Sequence, residues 1–75
     1  MELKVFLANF AEQFDDTDAS EITANCRFRE LEEYSSLVGM SIIAMAKTHY
    51  GKAITGADIR TCTTVEDLFN LISNK

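Results

Sequence analysis

Seventy-five residues, 47% apolar and 25% charged, with neither Pro nor Trp, suffice for one small domain near the size where a single core barely holds a fold. They exclude a doubly wound sheet, an α/β barrel and a two-domain enzyme with an enclosed cleft. A formal net charge of −5 argues against generic binding to the phosphate backbone of nucleic acids, which draws on Lys and Arg, and suits a chain that meets basic partners. The acidity is uneven. Residues 1–33 hold nine acids and three bases, whereas residues 34–75 hold three acids and four bases.

In chain order, the first predicted element is an amphipathic helix from Glu2 to about Phe14, since Leu3, Phe6, Leu7, Phe10 and Phe14 recur at helical spacing. Asp15-Asp16-Thr17-Asp18 ends it, because short acceptor side chains compete for backbone N–H groups. Residues 15–34 read as a long polar connection anchored by Ile22, Phe28 and Leu31, with helical turns at Ser20-Glu21 and Arg29–Glu33. A second helix starts near Ser35 or Ser36, either of which can cap it, and reaches His49 or Tyr50 before Gly51. Its core face is assigned to Ile42, Ile43, Ala46 and Tyr50. Thr55-Gly56-Ala57-Asp58 opens a short third helix, and Thr63-Thr64-Val65-Glu66 reads as the capping box of a fourth, with Val65, Leu68, Phe69 and Ile72 as its stripe. The expected fold is all-α: a small four-helix bundle of three main helices and a short third one, with a long loop between the first two, residues 1–75 forming one domain.

The sequence lacks HExxH, a glycine-rich phosphate loop and an EF-hand loop. His49 has no partner at a diagnostic spacing and reads as a helix-end residue, and Asp15, Asp16 and Asp18 read as a solvated helix terminus. No metal site and no catalytic residue is assigned, so enzymatic work by the chain alone is not expected. Cys26 and Cys62 lack a CxxC arrangement and read as reduced thiols. The longest apolar run, Ile42–Ala46, is too short to span a bilayer, and Met1-Glu2-Leu3-Lys4 lacks the features of a secretory leader. A cytoplasmic monomer without membrane insertion is expected.

The run Phe28-Arg29-Glu30-Leu31-Glu32-Glu33-Tyr34-Ser35-Ser36-Leu37 resembles the segment of acyl carrier proteins that ends in their Asp-Ser-Leu motif. The likeness continues through Met40–Ala46, Tyr50-Gly51, Ile54-Thr55 and Thr63-Thr64-Val65-Glu66-Asp67-Leu68, and so covers essentially the whole chain. The resemblance implies a carrier domain. Ser36 would accept 4′-phosphopantetheine from coenzyme A by the action of a separate phosphopantetheinyl transferase. The arm's thiol would hold acyl groups as thioesters for a synthase, ligase or acyltransferase of fatty-acid, polyketide or related biosynthesis. A helix N-terminus suits the phosphodiester. Ser35 is the rival acceptor, and the leucine directly after Ser36 favours Ser36.

Two departures bear on the partners. Ser35 stands where the family has its aspartate, and residues 37–50 contain no acid but include Lys47 and His49. Docking is therefore assigned to Leu37, Val38 and Met40, with Glu30, Glu32 and Glu33 as the acids nearest Ser36. Met45 is a candidate for lining an acyl-chain space, with plain packing as its commoner use. The alternatives are a carrier-like helical interaction module without the arm, or a carrier of aminoacyl or peptidyl groups.

Overall fold

Four α-helices organise residues 2–75, the part of the chain that the computed structural model describes: α1 (Leu3–Ala11), α2 (Ser36–Tyr50), α3 (Gly56–Arg60) and α4 (Val65–Ser73). No strand occurs among the described residues, so the expected all-α bundle with a short third helix is the observed architecture. Helix α1 packs on α2 and α4, and α3 packs on α2. Two 3₁₀ turns, Ala19–Glu21 and Phe28–Glu30, punctuate the long connection. None of the described helices is long and apolar enough to cross a membrane.

The apolar spacing of α1 buries Phe6 and Phe10, and a tightened turn beyond Ala11 carries Phe14 into the core as well. The helix ends earlier than the predicted Phe14. Gln13 and Phe14 donate to the carbonyls of Phe10 and Ala11, three residues back. The next two N–H groups, of Asp15 and Asp16, are taken by the Glu33 carboxylate instead of extending the ladder.

Helix α2 is capped by Ser35, whose hydroxyl accepts from the Val38 N–H at a long 3.4 Å. It ends where Gly51 adopts a left-handed φ of 64°, which glycine enters without a Cβ penalty. Thr55 and Asp58 cap α3 reciprocally, as predicted. The start of α4 differs from its sequence reading by one residue. Thr64, not Thr63, is the cap, and Asp67, not Glu66, completes the box. The Asp67 carboxylate collects the N–H groups of both Thr63 and Thr64, while the Val65 and Glu66 N–H groups donate to the loop carbonyls of Cys26 and Ala24. Those tertiary bonds set the register, and Glu66 is left exposed.

A run of ring contacts threads the interior. Phe69 meets Phe6 edge-on at 5.4 Å, Phe6 meets Phe10 at 6.0 Å, Phe10 meets Phe28 edge-on at 5.4 Å, and Phe28 meets Tyr34 edge-on at 5.8 Å. Edge-on and tilted geometries suit the ring quadrupoles. Phe6, Phe10 and Phe28 are fully buried, and Ile42, Ala46, Val65, Leu68 and Ile72 complete the centre. Of the residues assigned to the core face of α2, Ile42 and Ala46 are buried, while Ile43 and Tyr50 pack against the core with part of their surface open.

The long connection belongs to this core. Ile22 and Phe28 are buried and Leu31 is partly so, in keeping with their predicted role as anchors. Arg29 adds a fork, its Nε and one terminal nitrogen both donating to the Cys62 carbonyl at 3.0 and 2.9 Å.

Candidate functional site at the start of α2

The ring series ends at Tyr34, two residues before Ser36. Tyr34 lies so close over α2 that a Cβ placed on Gly39 would sit 3.0 Å from its hydroxyl oxygen. A ring can rest on the helix here because the fourth residue of α2 has no side chain. The Tyr34 N–H donates to the Leu31 carbonyl and closes the turn that leads into the helix.

Ser36 is the first residue of α2, and it is exposed. The two candidate serines differ: the Ser35 hydroxyl caps the helix, and Ser36 is exposed with no side-chain hydrogen bond among the described residues. The N–H groups of Ser36 and Leu37 have no partner among the described residues, whereas the equivalent pair on α4 is bonded to the long loop. An exposed hydroxyl beside unpaired N–H groups at the positive end of a fifteen-residue helix fits a phosphodiester-linked group.

Ser36 also borders a cleft of about 220 Å³ between α2 and α3, with Tyr34, Gly39, Met40, Ile43, Ile59 and Arg60 along its walls. Arg60 brings a cation to the cleft that holds the serine. Met40 and Ile43 are shared with a second, apolar groove of about 400 Å³ that runs on past Ala44 to Lys47, Ala53 and Ile54. The sequence reading missed Arg60, Ala53 and Ile54 as neighbours of the site, because only the packing of α3 and of the α2–α3 connection against α2 brings them there. Met45, the candidate for an acyl-chain space, is buried in the core, and the groove is lined by Met40, Ile43 and Ala44 instead.

The residues assigned to docking separate into groups. Leu37 and Met40 stand out from the surface at 73% and 66% exposure. Val38 does not join them: at 8% exposure it faces the core, since its place on the helix turns it inward beside Ile42. Glu30 and Glu32 are exposed, and Glu30 makes an open ion pair with Arg27 at 3.8 Å. Glu33 is occupied inside the molecule. Its carboxylate accepts from the N–H groups of Asp15, Asp16 and Thr17 at 2.6, 3.0 and 2.8 Å and from the Thr17 hydroxyl at 2.7 Å. Partial burial works to raise its pKa, but the Thr17 hydroxyl and the three N–H groups outweigh it and hold the carboxyl below its ordinary value.

His49 is exposed in the last turn of α2. No group of three or more His, Cys, Asp or Glu among the described residues is arranged to hold a metal ion. Both cysteines are free thiols, Cys62 buried and Cys26 half-buried, and desolvation raises the pKa of each. No family model matches the chain, and neither a curated protein nor a solved structure matches it.

Proposed function

We propose that the chain is an acyl carrier: Ser36 holds a 4′-phosphopantetheine arm, and the thiol of that arm bears acyl groups as thioesters for partner enzymes. The observation that carries the reading is the exposed Ser36 hydroxyl at the start of α2, relieved of capping by Ser35. The unpaired N–H groups of Ser36 and Leu37 and the nearby Arg60 suit a phosphate on that oxygen. The apolar groove that continues from the serine's cleft suits a hydrocarbon chain. Loading joins the Ser36 oxygen to the pantetheine phosphate of coenzyme A and releases adenosine 3′,5′-bisphosphate together with the hydroxyl proton. A separate phosphopantetheinyl transferase performs this step, and the carrier itself is not an enzyme.

The test is intact-mass analysis after incubation with coenzyme A, magnesium and a broad-specificity transferase. The wild-type chain and Ser35→Ala should gain one phosphopantetheine, and Ser36→Ala should gain none. A wild-type chain that gains nothing, or a gain that survives Ser36→Ala, overturns the assignment.

One observation favours a second reading, an interaction module without the arm. Leu37 and Met40 present apolar surface on a helix whose residues 37–50 include no acid, so a partner could grip α2 by apolar contact alone. Failure of the chain to accept the arm from its own host's transferase, with partner binding lost in Leu37→Ser, would select this reading.

A further inference from the structure

Among the described residues, three successive backbone N–H groups converge on one side chain only once. Residues 15–17, just beyond α1, turn their N–H groups onto the Glu33 carboxylate, and the Thr17 hydroxyl adds a fourth donor. Such a nest of amides is a site for an anion, filled here by a side chain of the same molecule. The two partners are sixteen to eighteen residues apart, so the contact closes nearly the whole long connection on itself.

The location makes this closure more than a loop tie. Glu33 lies in the turn that delivers the chain to α2. That turn is fixed on one side by Phe28 and Tyr34, which meet edge-on, and by the Leu31–Tyr34 backbone bond. The carboxylate fixes its other side. It does so against charge, because Asp16, Glu21 and Glu32 stand around the same depression. Like charges so near oppose the contact, and the four donors overcome them. Among the acids next to Ser36, Glu33 therefore cannot act as a free docking charge while the contact holds.

We propose that Glu33 is a positioning residue: its carboxylate latches residues 15–17 to the segment entering α2, and so fixes the angle at which Ser36 is offered to the enzyme that modifies it. The inference rests on the carrier reading given above. It predicts that opening the latch slows transfer at Ser36 without weakening the encounter with the transferase. A lost docking charge has the opposite signature, a raised KM at unchanged kcat.

The experiment compares Glu33→Gln with Glu32→Gln, both carrying the same change of charge on neighbouring residues. Transfer of phosphopantetheine is followed by intact mass at varied carrier concentration. Glu33→Gln should lower kcat about ten-fold with KM little moved, as small misorientations of a reacting atom do, whereas Glu32→Gln should act on KM alone. Thr17→Val, which removes one donor from the far side of the latch, should lower kcat about two- to three-fold. A second readout needs no transferase. In an acid titration followed by NMR, the amide protons of Asp15, Asp16 and Thr17 should move together with that of Ser36, and Glu33→Gln should abolish the shared transition.

Equal kinetics for wild type and Glu33→Gln, or the same rise in KM for both Gln variants, overturns the positioning role. So does a Ser36 amide that ignores the Glu33 transition. A wild-type chain that accepts no arm at all overturns the carrier reading itself and the kinetic role of Glu33 with it, a result distinct from either of the others.

Discussion

Gly39 offers a test in which two opposed effects are of similar size and the structure decides between them. Replacing an interior helical glycine by alanine ordinarily stabilises by about 0.8–1 kcal/mol, because alanine surrenders less backbone freedom. Here the new Cβ would meet the Tyr34 hydroxyl oxygen at 3.0 Å and its Cζ at 3.7 Å. The first distance is too short for an undisturbed contact, and the second is ordinary. The ring cannot simply retreat, since it packs edge-on against fully buried Phe28. Overpacking of this kind costs about 1–3 kcal/mol, so Gly39→Ala should destabilise by about 1 kcal/mol after the helical gain is subtracted. Removing only the offending oxygen should reverse the sign. In a Tyr34→Phe background the same Gly39→Ala change should stabilise by about 0.5–1 kcal/mol, for a coupling of about 1.5–2 kcal/mol. Urea unfolding of the four chains, followed by circular dichroism, measures the cycle, and each kcal/mol should appear as about 4–8 °C in Tm. Additive effects, with Gly39→Ala stabilising equally in both backgrounds, would refute the close packing of Tyr34 on α2.

Phe28→Ala removes the fully buried ring that joins Phe10 to Tyr34 and should cost about 3–5 kcal/mol, a large share of a small domain's stability, seen as a collapse of the urea midpoint. Thr64→Ala should cost about 1 kcal/mol, and Thr63→Ala less than about 0.5, in the same assay. The reverse order would return the cap of α4 to Thr63. Asp67 is held below its ordinary pKa of 3.8, first by the Thr64 N–H and then by that of Thr63, so its contribution is present in full above that value and is lost as pH falls through the lowered one. The Tm deficit of Asp67→Asn against wild type should therefore be constant at neutral pH and close only in strong acid; a deficit that widens on acidification contradicts the sign. Maleimide labelling should modify half-buried Cys26 ahead of buried Cys62.

The parts of this fold that are legible in the sequence are those decided within one or two turns of chain. The spacing of Phe6 and Phe10, the glycine stop after Tyr50 and the Thr55–Asp58 box are local devices, and each acts where the pattern puts it. The parts that differ are those where a distant group outbids a local one. Helix α1 tightens into a turn after Ala11, and beyond it Glu33, not the helical ladder, takes the N–H groups of Asp15 and Asp16. The cap of α4 moves to Thr64 because the carbonyls of Ala24 and Cys26 take the N–H groups of Glu66 and Val65. At the site the same division holds. A serine at the start of α2 can be read from its neighbours, but Val38 and Leu37 are adjacent and both apolar, and only the packing sends one inward and the other out. Arg60 reaches the site from α3 and Ile54 from the α2–α3 connection, contacts that no spacing in the sequence encodes.

The asymmetry of charge takes on a different meaning once the acids are followed to their partners. Nine acids precede Tyr34, enough to suggest a broad negative face toward a basic enzyme. Glu33 is turned inward onto residues 15–17, and Asp18 accepts the Ser20 N–H at the head of a 3₁₀ turn. Glu30 shares its charge with Arg27. Close to Ser36 in the sequence, Glu32 is thus the carboxylate with no internal contact among the described residues, while residues 37–50 hold no acid and expose Leu37 and Met40. An enzyme recognising this end of α2 would find apolar surface with sparse charge. Association by such contact varies little with ionic strength, because exposed charges are screened within about 10 Å at 0.1 M salt while apolar burial is not. The net charge of −5 therefore describes how the chain behaves at long range, and the first turn of α2 describes what a partner must fit.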